Sequence, residues 1–158
     1  MKRTSVRLIQ IALGIAAGGM IAAVITAPQP SDSIKIQGQI DTLKRGVESG
    51  NTTAVLSVIS AQYTDDNFAN NDQVALALRR FIPDHDGLIL DFDRIKTTVT
   101  GDQAETDLHV RGHDPSTPFV LNQDVQVYWK REPAHRLLLL PTTTWRIVRA
   151  QYGSIPGE

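Results

Sequence analysis

Tyr63, Asp65 and Asp66 are the residues whose types and spacing come nearest to a catalytic group in this sequence. They follow a short apolar run at residues 55–59, and they would set a hydroxyl donor beside carboxylates that can act as general bases. In the alternative arrangement, Tyr63 packs over the helix formed by that run, and the acids lie in a solvated turn, which aspartate side chains favour. We expect this alternative, so no catalytic residue is assigned and these three stand as the candidates.

Histidines form a second set of residues that can do chemistry. His109 and His113 are four positions apart, about 13 Å along a strand, which is too far for two ligands of one metal ion. His85 lies between two aspartates in the segment PDHDG at residues 83–87. Neighbouring acids can tune an imidazole base, but this composition is also typical of a loop between a helix and a strand, which we favour. We therefore predict no metal site, and no motif in the sequence indicates a cofactor.

Aromatic side chains are the candidates for holding a small apolar ligand. They are Tyr63, Phe81, Phe92, Trp129 and Trp145. Each is first of all a core residue, because large apolar side chains are usually buried. In a domain that encloses a pocket, some of these rings would line it.

The composition narrows the class of protein. The chain has 158 residues, of which 41% are hydrophobic and 21% charged, and its formal net charge is −1. That length suits one globular domain, and the near-neutral charge without a basic cluster argues against nucleic-acid binding. The sequence has no cysteine, which excludes disulfides, thiol catalysis and thiolate metal sites.

The N-terminus has the pattern of a membrane anchor. Residues 1–7 form a short basic segment, and residues 8–27 carry no charge, a length that spans about 30 Å as a helix. We expect a single-pass transmembrane anchor or uncleaved signal, with the basic end in the cytoplasm and the main domain on the extracytoplasmic side. Secretion after cleavage near residue 27 is the alternative. The long apolar stretch and Ile25, a large residue at position −3 of that cut, favour retention.

Residues 34–152 carry the pattern of one α+β domain, between a linker at residues 28–33 and a flexible tail at residues 153–158. The spacing of apolar residues predicts three helices first, at residues 34–49, at residues 55–59, and from Asn71 or Asp72 to a stop at Pro83. Gly38 and Gly46 each weaken the first helix by about 1 kcal/mol relative to alanine. Packing against the rest of the domain must therefore support that helix.

A hairpin is predicted where the apolar period changes to two. Gly101 and Asp102 suit a two-residue turn, and the resulting register places Arg94 opposite His109. A shift of phase indicates a β-bulge near residues 93–94. The other expected pairs are Val99 with Ala104, Thr97 with Thr106, Thr98 with Glu105, Lys96 with Asp107 and Ile95 with Leu108.

Two further strands are predicted after the hairpin, at residues 119–130 and 142–152. Four successive leucines at residues 137–140 lie between them. They form either a buried extension of a strand or an apolar lip that meets a partner, a second subunit or the membrane. Helices followed by antiparallel strands are typical of the α+β class.

Three segments in this order resemble the nuclear transport factor 2-like superfamily, which includes SnoaL-like and ketosteroid isomerase-like proteins. They are VESGNTTAVLSVISAQY at residues 47–63, VTGDQAETDLHV at residues 99–110 and TTTWRIVRAQY at residues 142–152. The resemblance covers about residues 34–152. It implies a cone in which three N-terminal helices pack on a curved antiparallel sheet of four or more strands.

The resemblance implies the fold and not an activity. Asn51 and Gln62 stand where the family often has acids. The isomerases of the family use a carboxylate base with a tyrosine and a protonated acid, and these roles cannot be placed on this chain residue by residue.

The expected function is therefore binding without catalysis. We expect a membrane-anchored extracytoplasmic domain that binds a protein partner through its sheet, or a small apolar ligand in its cone. A homodimer through the sheet and a partner in the cell envelope fit the resemblance. The alternative is a small-molecule isomerase or dehydratase that uses acid–base residues in the cone pocket.

Overall fold

The computed structural model describes residues 30–85, 87–136 and 140–153. Within them, three helices precede four strands, which confirms the predicted α+β order. The helices are α1 (Asp32–Glu48), α2 (Thr52–Val58) and α3 (Asn71–Asp84), and the strands are β1 (Ile89–Thr100), β2 (Gln103–His113), β3 (Val120–Arg136) and β4 (Leu140–Tyr152). None of the helices in this part of the chain is long and apolar enough to cross a membrane. The predicted anchor at residues 8–27, leucines 137–139 and the tail after Gly153 lie outside the described residues.

Polar side chains cap the start of each helix. The side chains of Ser31, Asn51 and Asn70 accept hydrogen bonds from backbone N–H groups of the first turns of α1, α2 and α3, which have no partner inside a helix. Because Ser31 is the cap, α1 begins two residues earlier than predicted and includes the end of the expected linker. The prediction that α3 stops at Pro83 is wrong by one residue. The N–H of His85 donates to the carbonyl of Ile82, which closes the last turn past the proline.

The strands form one antiparallel sheet in the order β1-β2-β3-β4. The predicted hairpin register is confirmed from Lys96 to Thr100, and the bulge lies between Asp93 and Lys96. The expected pair of Arg94 with His109 is wrong, because His109 pairs with Asp93. Arg94 is the bulged residue and has a left-handed backbone, with φ 51°. The expected pair of Ile95 with Leu108 is also absent from the register of these strands, because the bulge interrupts the pairing between Asp93 and Lys96.

The core lies between the helices and one face of the sheet. Its members come from all three helices and all four strands, and they include Trp129 and Trp145, each 1% exposed. All of these residues belong to the compact unit Ser31–Glu158. That unit therefore contains a complete hydrophobic core of its own.

Both outer strands of the sheet are partly occupied along their free edges. On β1, the N–H of Leu90 donates to Glu48 Oε1 at 3.0 Å, and its carbonyl accepts from Lys44 Nζ. Lys44 and Glu48 also form an ion pair of 2.8 Å. On β4, the carbonyls of Ile147 and Val148 accept N–H groups from the segment at residues 60–64.

Candidate functional site: an apolar cavity

A cavity of about 460 Å³ lies between the helices and the inner face of the sheet. This size is within the range of small-molecule sites, roughly 300–1,000 Å³. The lining residues come from every helix and every strand, and nearly all of them are aliphatic or aromatic. The same interface that forms the core therefore leaves a space large enough for a ligand.

The alternation of strand β3 supplies one wall. Leu121, Gln123, Val125, Val127 and Trp129 are alternate residues of β3 and all line the cavity, because side chains two apart in a strand share a face. The opposite wall follows helical spacing. Val74, Ala77, Leu78 and Phe81 of α3 line it, three or four residues apart on one face of the helix.

A glycine makes room for large side chains near one end of the sheet. Gly112 of β2 lies between Leu90 and Leu121 in the strand register. A Cβ atom at Gly112 would lie 2.9 Å from Leu90 Cδ2, closer than real Cβ atoms approach. Glycine therefore allows both leucines to cover this position and to line the cavity.

Four of the five predicted ligand-binding aromatics line the cavity, namely Tyr63, Phe81, Phe92 and Trp129. Trp145 does not. Its Nε1 donates to Asp32 Oδ1 at 3.2 Å, and the Arg131 guanidinium lies 5.0 Å from the centre of its ring. Trp145 thus fixes the first turn of α1 to the sheet, away from the cavity.

Tyr63 and Asp65 are brought together, whereas Asp66 is separate. Tyr63 is buried, and its hydroxyl donates to Asp65 Oδ2 at 2.5 Å. Asp65 Oδ1 accepts the N–H groups of Asn67 and Phe68 at 2.7 and 2.6 Å, which makes it the centre of a turn. Asp66 is exposed and lies 3.7 Å from Arg149, so its carboxylate is not part of the cavity wall.

Burial governs the state of the tyrosine hydroxyls. Burial, with added contributions from the hydrogen bond to Asp65 and the nearby Tyr152, raises the pKa of Tyr63 far above its usual value. Burial and the negative charge of Asp65 also raise the pKa of Tyr152. Both hydroxyls stay protonated near neutral pH and act as hydrogen-bonding groups.

Two polar lining residues were not among the sequence candidates, namely Gln123 and Tyr152. The phase of β3 was a usable signal for Gln123, because it lies two residues from both Leu121 and Val125. No comparable signal marks Tyr152, whose place at the cavity depends on where β4 ends.

The candidate histidines His85, His109 and His113 lie outside the cavity wall. His109 Nδ1 is 2.6 Å from Asp124 Oδ1 on the other face of the sheet, and His113 is exposed at the end of β2. The ring of His85 stacks on Phe81, with 4.3 Å between ring centres, and meets the edge of Phe119 at 4.7 Å. Among the described residues, no group of three or more potential ligands could hold a metal ion.

Comparison with known proteins identifies the fold. No family model matches the chain, and no curated protein matches it. Among solved structures, it is similar to Bd1075 of Bdellovibrio bacteriovorus, with a TM-score of 0.64 and 10% identity over 81% of this chain and 44% of that one. It is also similar to an NTF2-like protein of unknown function from Pseudomonas putida, with a TM-score of 0.61 and 8% identity over 80% of this chain and 90% of that one.

A third similar structure is a protein of unknown function with a cystatin-like fold from Nostoc punctiforme, with a TM-score of 0.60 and 8% identity. It matches 79% of this chain and 92% of its own. The described domain therefore has the α+β architecture of NTF2-like proteins, consistent with the predicted cone. The chain spans less than half of the Bdellovibrio protein, so in that protein the likeness covers one part of a longer chain.

Proposed function

We propose that this NTF2-like domain binds a small apolar ligand in its cavity without catalysis, and that residues 8–27 hold it at a membrane on the extracytoplasmic side. The observation that carries the proposal is the cavity itself, about 460 Å³ with an almost wholly apolar lining. Transfer of an apolar ligand from water into such a site is favourable by about 25 cal/mol per Å² of apolar surface buried. The cavity thus offers a driving force for binding.

The chemistry of the wall supports binding over catalysis. Among the described residues that line the cavity, none is an aspartate, glutamate, histidine, lysine or arginine. Acid–base catalysis needs a titratable group within hydrogen-bond reach of the substrate. The tyrosines at the cavity have raised pKa values. Their hydroxyls therefore stay protonated near neutral pH and cannot take up a proton from a substrate. The isomerase or dehydratase alternative has no suitable base in this wall.

Partner binding through the sheet is a weaker proposal for this surface. Polar side chains on its outer face already bond to one another, since Gln126 Nε2 donates to Glu105 at 2.6 Å and to Asp107 at 3.0 Å. Tyr128 in turn donates to Gln126 at 2.5 Å. A partner on this face would have to match a satisfied polar network, whereas the cavity favours any occupant that has an apolar body.

A neutral fluorophore tests the proposal directly. Residues 31–158 hold a complete core, so this unit is titrated with N-phenyl-1-naphthylamine, whose emission rises in apolar surroundings. We expect saturable enhancement with one site per chain. The change Ala77→Phe puts a ring into the cavity wall and should weaken binding at least tenfold.

Ala75→Phe is the matched control. Ala75 lies on the same helix two residues away and does not line the cavity, so this variant should bind the fluorophore like the wild type. Unfolding temperatures of both variants show whether each one folds. Absence of enhancement in the folded wild type, or equal losses in both folded variants, would contradict a ligand cavity.

A further inference from the structure

We infer that the ligand is a neutral amphipathic molecule, an apolar body with one uncharged hydroxyl-type head group, and that Tyr63, Gln123 and Tyr152 bind this head. The inference rests on the proposed binding function and deepens it by naming the class of ligand. Three observations carry it, namely the grouping of the polar residues, the half-buried amide of Gln123 in an apolar row, and the charges near the site.

The polar lining residues are grouped rather than scattered. Tyr152 of β4 pairs with Val125 of β3, and Gln123 is the next residue of β3 on the same face. Such diagonal neighbours have Cα atoms about 7–8 Å apart, within reach of long side chains. Tyr63 lies close enough to Tyr152 for their hydroxyls to interact. All three residues therefore form one polar sector in the cavity wall.

This sector lies beside the last residue of β4. Strand β4 ends at Tyr152, and the N–H of Gly153 donates to the carbonyl of Asp124 at 3.2 Å. Among the described residues, the row of Gln123 continues to Val110 of β2 and Phe92 of β1. Tyr152 is 50% exposed while Tyr63 is 5% exposed, so the sector runs from the surface into the cavity.

The side chain of Gln123 is half-buried and lines the cavity, so its amide can reach a ligand there. Its neighbours in the row, Val110 and Phe92, are apolar, and its amide has two donors and an acceptor. A polar group in an apolar setting costs free energy unless it is hydrogen-bonded. A hydroxyl group both donates and accepts, so it complements the amide better than a hydrocarbon end does.

The charged groups near the cavity disfavour a ligand with an ionised head group. Among the described lining residues there is no cation to pair with a carboxylate, and the Asp65 carboxylate lies directly behind the Tyr63 hydroxyl. An anion would therefore be repelled. An ammonium group would find Asp65 already bonded to Tyr63 and to two backbone N–H groups, and burying it without a partner is costly.

Matched ten-carbon competitors test the head-group preference. Decan-1-ol, decanoate and decylammonium are used to displace N-phenyl-1-naphthylamine from residues 31–158 at pH 7. We expect decan-1-ol to compete at least tenfold more tightly than either ion. Gln123→Leu should weaken decan-1-ol by about threefold to tenfold, the effect of one lost hydrogen bond. The fluorophore is titrated separately into each variant, so that the competition constants are corrected for any change in its own affinity.

Two further variants make the test decisive. Asn122→Leu is the matched control, because Asn122 is the exposed neighbour on the opposite face of β3, and it should keep the decan-1-ol affinity of the wild type. Tyr152→Phe removes one hydroxyl from a half-exposed residue and should weaken the binding of decan-1-ol to a similar degree. It replaces Gln123→Leu as the test if that variant does not fold. If the fluorophore binds the wild type but the alcohol and the ions compete equally, the head-group inference fails while the cavity proposal stands. If the fluorophore does not bind, the cavity proposal itself fails.

Discussion

Two glycines of helix α1 should respond to alanine in opposite directions. Nothing lies within 4 Å of a Cβ atom built on Gly38. On Gly46, the same atom would lie 2.8 Å from Val55 Cγ2, 3.1 Å from the Val55 backbone nitrogen and 3.3 Å from Ala54 Cβ. The N–H of Asn51 also donates to the Gly46 carbonyl at 2.7 Å. Helices α1 and α2 therefore touch at Gly46, and Gly38 faces open space.

The expected free energies follow from these contacts. Gly38→Ala should raise the free energy of unfolding by about 0.5–1 kcal/mol, since alanine favours the helix and reduces the freedom of the unfolded chain. Gly46→Ala gains the same preference of alanine for the helix, but overpacking between α1 and α2 typically costs about 1–3 kcal/mol. Valine is stiff at its Cβ and the second contact is backbone, so relief requires a movement of α2. We expect a net loss of about 1 kcal/mol for Gly46→Ala, and a difference of about 2 kcal/mol between the two variants.

Urea unfolding of residues 31–158 measures both changes. Trp129 and Trp145 are buried, so their fluorescence reports the loss of the core. The midpoint should rise for Gly38→Ala and fall for Gly46→Ala with an unchanged slope, as for a change in stability alone. If Gly46→Ala is as stable as Gly38→Ala, the close contact between α1 and α2 is not present in solution.

Two other substitutions probe how the sheet is tied together. Burial alone would raise the pKa of Asp32, but hydrogen bonds, first from Trp145, and the charge of Arg131 hold it below its usual value of 3.8. The stability that Asp32 adds is therefore present above about pH 4, and it is lost as the pH falls through the lower pKa of the folded state. We expect Asp32→Asn to lower the unfolding temperature at pH 7 and to make little difference near pH 2. An equal difference at both pH values would contradict this reasoning. Thr106 is fully buried and accepts a hydrogen bond from Trp129 Nε1 at 2.9 Å. Thr106→Val should lower the free energy of unfolding in urea by about 1–3 kcal/mol, because the indole N–H is left unpaired. A urea midpoint equal to that of the wild type would show that this bond is not made.

Local signals in the sequence were sufficient for the elements of the fold. The turn at Gly101 and Asp102 fixed the hairpin register next to it, and the change of apolar phase located the bulge. The pairing of Arg94 was wrong because the sequence shows where a phase changes but not which residue bulges out. Helix ends were displaced by one to three residues, since caps and prolines act through hydrogen bonds that periodicity does not describe.

The site was harder to predict because it depends on contacts between distant segments. Tyr63, Trp129 and Trp145 are buried as expected, and Phe81 and Phe92 are half-buried. Whether each ring faces a cavity or a neighbouring element depends on its position in the fold. Trp145 shares the inner face of the sheet with Trp129, yet it lies two rows closer to the β3–β4 hairpin end, where the start of α1 covers it. Gln123 and Tyr152 come together because Tyr152, the last residue of β4, pairs with Val125, which is two residues from Gln123.

The occupied edges of the sheet limit how copies of this domain can associate. An outer strand with free N–H and C=O groups is a template on which the strand of another chain can assemble. Here the Lys44–Glu48 pair takes both backbone groups of Leu90 on β1, and the segment at residues 60–64 takes two carbonyls of β4. A continuous sheet running from one molecule into the next would first have to break these bonds. At these positions, bonds within the domain therefore oppose the addition of a strand from a second copy.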